Sequence, residues 1–278
     1  GLLTQGCPRP QVVLAQNPWP LLPGMAQGRE RAKAWLQRRA YARAHRKAAV
    51  MVFNSGYMKT LYEDSFGPRR GTSTVAYQGI GEQMFAKGRA AHHGYSRKPI
   101  LLCVSVMARH KAIEILVRAF ARVAERHAYA QLVLAGPWPD EVYLGEVESL
   151  VATLGLAAKV RFTGHVHQEE LERLYAEARV FCLLSRCESF GIPAVEAQAF
   201  ATPTLVAAGT AAGEITRGAV VPQDDPAAAA GELERLLSDE SAWRRASEEA
   251  LLNAQRFHWP QCSAPLIETM RCLQGVPR

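Results

Sequence analysis

Between Ile100 and Ala207 the chain alternates short apolar runs with helical segments, and the runs are unbroken rather than polar at every second residue. A strand with one wet face alternates in polarity, whereas a strand covered on both faces does not need to. The pattern therefore predicts an α/β fold in which a parallel sheet carries helices on both sides. Ligands of such sheets bind beyond the carboxyl ends of the strands.

Strands are expected over 100–107, 131–136, 160–164, 180–184 and 204–207. Helices are expected over 113–127, 143–154, 169–178, 193–201 and 225–237, the last opening on Asp225-Pro226 as cap and first helical residue. Ile113, Leu116, Val117 and Phe120 have the spacing of one helix face. Upstream, 12–14, 50–53 and 74–77 read as further strands, 29–48 as a helix, and Asn54-Ser55 as the cap of another. The Gly-, Lys-, Arg- and His-rich stretch 86–98 reads as a linker. This gives three parts: 1–97, a partial Rossmann-like domain with its linker; 98–256, a complete Rossmann-like domain; and 257–278, a closing helix.

The 278 residues suggest about two domains, and 48% hydrophobic content supports packed cores rather than disorder. No stretch approaches the roughly 18 apolar residues of a membrane span. Gly1-Leu2-Leu3-Thr4 lacks the basic and apolar regions of a signal peptide. The first residue is not Met, so the chain is expected to begin inside a longer protein. None of Cys7, Cys103, Cys182, Cys187, Cys262 and Cys272 forms a CxxC or CxxH pair, which speaks against zinc and for a reducing, cytoplasmic compartment.

The richest string for chemistry runs from Ser185 to Glu196. A strand ends, a loop carries Glu188, Gly191 permits an unusual backbone angle, and Pro193 is preset for the first helical turn. The amides of Phe190, Gly191 and Ile192 would then face outward at the positive end of a helix, where an anion belongs. Glu196, one turn in, would repel a phosphate but can accept hydrogen bonds from ribose hydroxyls. Glu188 can reach a sugar or the nearby amides. A diphosphate flanked by hydroxyl groups suits a nucleotide-sugar. The plainer alternative is that both acids complement the helix dipole.

Other strand ends add weaker signals. Arg109 and Lys111 follow the 100–107 strand and suit a phosphate, or a solvated basic loop. Gly136-Pro137-Trp138-Pro139-Asp140 and Gly164-His165-Val166 suit pocket walls, and the backbone of the latter can read a base edge. Gly213-Glu214-Ile215 is expected at the ligand rim or in an ordinary turn.

These strings resemble the retaining glycosyltransferases of family 4, the glycosyl transferases group 1 domain of the GT-B fold. The resemblance covers roughly Lys98 to Trp259, and more loosely Val12 to Phe85. It is carried by Val104 to Phe120, Gly136 to Tyr143, Arg161-Phe162-Thr163-Gly164, Leu171 to Tyr175, Glu188 to Pro203, Asp224-Asp225-Pro226 and Arg256 to Trp259. It implies that Glu188 and Glu196 are the paired glutamates, with Glu196 on the ribose and Glu188 by the donor sugar and diphosphate. It implies that Lys111 is the phosphate-binding lysine. Glu188, Lys111 and Arg109 are then expected to serve the transfer itself. Glu196, Ser189, Phe190, Gly191, Ile192, Gly164, His165 and Val166 are expected to bind the donor, with no metal or other cofactor.

Two departures stand out. Val106 occupies the family's arginine position and Ser105 the preceding glycine, leaving Arg109 as the candidate replacement charge; Ala112 stands where glycine is common. Only about 85 residues precede the linker, so the first strand, the acceptor loop and the acceptor-side histidine of a complete first domain have no counterpart. The expected activity is sugar transfer, with retention, from a nucleotide-sugar to a glycan or lipid-linked acceptor in polysaccharide biosynthesis. The alternative is a nucleotide-sugar-binding fragment without turnover. A GT-B epimerase fits the glutamate spacing poorly.

Charge is concentrated. Between Arg29 and Lys47 eight basic residues face one acid, Glu30, so this segment alone equals the net charge of +7. It reads as a solvated helix face or as a peripheral contact with an anionic membrane, which would place the protein at the inner face. Nucleic acid is not expected, because only Trp35 and Tyr41 interleave the charges and no motif accompanies them.

Overall fold

The computed structural model describes residue 3 and residues 10–26, 28, 30–94 and 97–273. In chain order the elements are β1 (Val12–Ala15), α1 (Glu30–Lys47), β2 (Val50–Phe53), α2 (Gly56–Phe66), β3 (Thr72–Val75) and α3 (Glu82–Gly94). They continue with β4 (Lys98–Val104), α4 (Ile113–Arg126), β5 (Gln131–Ala135), α5 (Glu141–Thr153), β6 (Val160–Gly164), α6 (Gln168–Glu177) and β7 (Ala178–Leu183). The last are α7 (Ile192–Ala199), β8 (Thr204–Ala207), α8 (Ala211–Thr216), β9 (Ala219–Val221), α9 (Pro226–Ser238), α10 (Glu240–Ala254) and α11 (Trp259–Leu273). They form two units: one holds the chain up to Gly79, Cys187–Phe190 and the segment from Phe257; the other holds Ile80–Arg186 and Gly191–Arg256.

The first unit has a three-stranded sheet in the order β1-β2-β3, parallel throughout. Central β2 is buried along its length, as its Val-Met-Val-Phe composition requires. Met51 and Phe53 pack on one face with Tyr41 and Ala44 of α1 and Met58 and Tyr62 of α2. Val50 and Val52 point to the other face, with Leu266 of α11 against them. Ser55 caps α2 by accepting from the Met58 amide. Cys187–Phe190 packs here too: the Phe190 ring meets Phe257 edge-on at 5.6 Å and Tyr77 at 6.3 Å.

The second unit has six parallel strands in the order β6-β5-β4-β7-β8-β9. The order runs outward from β4 in one direction, then restarts beside it at β7. This is the doubly wound arrangement, and the switch point between β4 and β7 is where such sheets bind ligands. The predicted face of α4 (Ile113, Leu116, Val117 and Phe120) is buried against Leu101, Leu132 and Val180. Asp140, Asp225 and Asp239 cap α5, α9 and α10.

The segment read as a linker, 86–98, is no linker: it is most of α3 and the start of β4. Small residues hide the helix from an apolar-periodicity reading, because they serve close approach. A methyl group on Gly88 would sit 2.0 Å from the Ala199 carbonyl oxygen. Arg97 then ties the segment down by donating to the carbonyls of Tyr175 and Ala178 and to Thr202. The short elements α8 and β9, and helix α10, escape the sequence reading as well. Among the described residues no helix is long and apolar enough to cross a membrane.

Candidate donor-binding site

Loops leaving the strands of the second unit are laced together at the carboxyl edge. The Ser105 amide donates to Ala135 O, Met107 N to Pro137 O and Gly136 N to Gly164 O. Gly136 is obligatory at its place: its φ is 142°, and a Cβ there would lie 1.8 Å from the Ser105 carbonyl oxygen. Beyond Met107 the chain makes a single 3-10 turn, Arg109–Lys111, and Ala112 takes a left-handed conformation (φ 52°) to open α4. That angle is the physical reason glycine suits position 112.

Beyond β7, Gly191 enters α7 with φ 94°, and Pro193 sits within the first turn. Ala194 and Val195 turn their amides back on Gly191 O. Among the described residues, the amides of Phe190, Gly191 and Ile192 donate no hydrogen bond. These are the open donors that a helix N-terminus presents to an anion.

Glu196 lies one turn further, half-buried, and accepts a hydrogen bond from the Tyr175 hydroxyl at 2.9 Å. Burial raises its pKa above the ordinary carboxylate value, and the Tyr175 bond works against that rise. Burial also pushes the Tyr175 phenol well up, so it keeps its proton and remains the donor. Tyr175 on α6 is the residue the sequence reading missed here; its place in the Leu171–Tyr175 string was the available signal.

Lys111, half-buried, stands at the β4 end of the switch point. Its ammonium is near enough to Cys103 to oppose the burial that lifts that thiol to about 12. The sequence reading gives Arg109 to a phosphate; in the structure its guanidinium grips both oxygens of Glu146, at 2.7 and 2.9 Å, and Asp140 at 3.1 Å. Val106, at the family's arginine position, is exposed. Gly164 has φ 63°, and its carbonyl accepts from Gly136 N and from the Thr163 hydroxyl. His165 and Val166 follow on the same rim, His165 exposed and 6.2 Å ring to ring from His167. Gly213-Glu214-Ile215 lies inside α8, whose cap is Thr210.

Glu188, Ser189 and Phe190 lead into Gly191 and pack within the first unit. A Glu188 carboxylate oxygen accepts from the Ser189 amide at 3.2 Å. Ser189 is held by Asn54, whose side-chain amide donates to its hydroxyl, and by Ser55, whose hydroxyl donates to its carbonyl. The second unit thus brings Lys111, Gly191, Ile192 and Glu196 to the ends of adjacent strands. Arg29 of the basic segment and Cys7 lie outside the described residues.

The profile of the family "Glycosyl transferases group 1" matches residues 85–252, and the chain belongs to that family. Over 246 residues it is 29% identical to the D-inositol 3-phosphate glycosyltransferase of Corynebacterium urealyticum, covering 83% of this chain and 58% of that protein. Over 112 residues it is 39% identical to the mannosylfructose-phosphate synthase of Agrobacterium fabrum, covering 38% and 25%. The chain spans about half or less of the length of the curated relatives it matches. Its fold is that of the sucrose-phosphate synthase of Thermosynechococcus elongatus (TM-score 0.79, 24% identity, 96% of this chain and 68% of that one). It is also that of the Anabaena protein HepE solved with UDP and glucose (TM-score 0.77, 21% identity, 94% and 71%).

Proposed function

We propose that the protein transfers a sugar from a nucleotide-sugar donor to a glycan or lipid-linked acceptor, with retention at the anomeric carbon, and does so in the cytoplasm. The observation that carries this reading is the pair of open amides at Gly191 and Ile192, with the half-buried Glu196 carboxylate one turn behind them at a β4/β7 switch point. The amides receive the diphosphate, Glu196 takes the ribose hydroxyls, and the Gly164–Val166 backbone faces the base. Lys111 adds positive charge where negative charge grows on the departing diphosphate, which is the role a divalent metal would otherwise fill. Glu188 serves the sugar end. Arg109, through its grip on Glu146 and Asp140, holds the turn that carries Lys111.

The similarity to HepE, solved with UDP and glucose, supports a nucleotide-sugar as the ligand class. A second reading is donor binding without turnover. Radiolabelled donor incubated with lipid extract and glycan acceptors separates the two: label transfer supports the enzyme, and binding without transfer supports the module.

Helix α1 supplies the expected surface partner. Among the described residues none of Arg31, Lys33, Arg38, Arg39, Arg43, Arg46 and Lys47 is in an ion pair. Trp35 and Leu36 are exposed at 54% and 61% on the same helix, with the Arg39 guanidinium over the Trp35 ring. Apolar side chains among unpaired cations suit an anionic bilayer surface, at about 1 kcal/mol per cation.

A further inference from the structure

The turn that carries Lys111 is braced from two sides. On one side Arg109 reaches α5, as described, and lies over the Tyr143 ring at 5.1 Å. On the other stands Arg186, two residues beyond the end of the β7 apolar run. Its three guanidinium nitrogens each donate to a different partner: Nη1 to Arg109 O at 3.0 Å, Nη2 to Glu114 Oε1 at 2.6 Å, and Nε to Asp224 Oδ1 at 2.7 Å. Its own amide donates to His110 O at 2.8 Å. Glu114 in turn accepts from the Tyr143 hydroxyl at 2.5 Å, and that hydroxyl accepts from the Ile113 amide at 2.9 Å.

Arg186 therefore links the loops that follow β4, β7 and β9 at one point. A planar fork can hold three such directions together; a lysine, with one point of charge on a flexible stem, cannot. Lys111 has such a stem itself, so its aim depends on where its backbone is held.

We propose that Arg186 is a positioning residue, which fixes the Arg109–Lys111 turn so that the Lys111 ammonium meets the donor diphosphate. This rests on the reading of Lys111 as the phosphate cation. Two consequences follow from acting through Lys111. Loss of Arg186 weakens only ligands that carry phosphates, and it weakens them only while Lys111 is present.

The test is calorimetry on the full chain with the tightest-binding of UDP, GDP and ADP, and with its nucleoside as control. Arg186→Met is expected to weaken diphosphate binding about tenfold, a change of about 1.4 kcal/mol in binding free energy. Nucleoside binding stays within about twofold, Arg186→Lys recovers only part of the loss, and Lys111→Ala/Arg186→Met binds no more weakly than Lys111→Ala alone. Asp224→Asn removes one Arg186 partner at the surface. It should show the same pattern at smaller size and decides the matter if Arg186→Met does not fold. An unchanged diphosphate affinity, an equal loss with the nucleoside, or additive losses in the double variant would overturn the proposal. A Lys111→Ala variant that binds the diphosphate normally, or a wild-type chain that binds none of the three, contradicts the Lys111 reading itself.

Discussion

The Tyr175 hydroxyl donates to the Glu196 carboxylate at 2.9 Å, and both groups are largely removed from water. A carboxylate held in this way costs stability when ionised, because burial disfavours its charged form. Its folded-state pKa lies above the ordinary 4.5, chiefly through burial. The folded state thus holds this proton more tightly than the unfolded chain. The favourable contribution is complete below pH 4.5 and is lost as pH rises through the raised value. Glu196→Gln should therefore melt higher than wild type at neutral pH, with the gap closing below pH 4.5. Melting curves across pH check this, and a gap that widens in acid would refute it.

Tyr175→Phe leaves that carboxylate without its donor. We expect a stability loss of about 1–2 kcal/mol, the cost of one buried polar group left unpaired. We also expect weaker nucleoside binding, because the carboxylate is no longer aimed. Urea denaturation and nucleoside titration measure the two effects separately.

Gly136→Ala should be severe. Its Cβ would collide with Ser105 O from a backbone angle that L side chains rarely adopt. A loss of more than about 3 kcal/mol is expected, since strain and collision coincide. The variant should lower the melting temperature more than alanine at Gly145, where an added Cβ meets nothing within 4 Å.

Donor binding should survive EDTA. If cationic and amide groups alone receive the diphosphate, chelation leaves the dissociation constant unchanged and added Mg²⁺ tightens it less than twofold. A tenfold loss with EDTA would show that a metal takes part.

Vesicle flotation tests the α1 surface. The chain should float with vesicles rich in anionic lipid, and not with neutral phosphatidylcholine. The attachment should weaken on changing Arg39, Arg43 and Arg46 to Ala, and with rising salt. Equal flotation with both vesicle types would refute the surface reading, and salt-sensitive binding to RNA without flotation would give the helix another partner.

Much of the second unit is legible because its code is local. Unbroken apolar runs give parallel strands, and Asp225 announces its helix, whereas Asp140, which caps α5, reads in the sequence only as part of a pocket-wall loop. What was not legible depends on contacts distant in sequence. Helix α3 has too little apolar surface to declare itself, because Gly88 is buried by close approach to Ala199 O. The return of Cys187–Phe190 to the first unit is decided by Tyr77, Phe257 and Asn54, residues 67 to 135 positions apart from their partners in the loop. At the candidate site, Glu196 and Lys111 are proposed from the motif and from the resemblance. The hydrogen bonds of Tyr175 and Arg186 are not legible in the sequence, since neither spacing nor composition tells a hydrogen-bonded tyrosine from a packed one. Arg109 shows the converse: its position suggested a phosphate, and Glu146, 37 residues on, takes its guanidinium.

The open amides of Gly191 and Ile192, with Glu196 and Lys111, are proposed to form a nucleotide-sugar site. Calorimetric titration with UDP-, GDP- and ADP-sugars tests it most directly. Saturable one-to-one binding of at least one donor is expected, weakened at least tenfold by Glu196→Ala and by Lys111→Ala in chains that remain folded. Silence toward every donor, or binding that both substitutions leave intact, would contradict it.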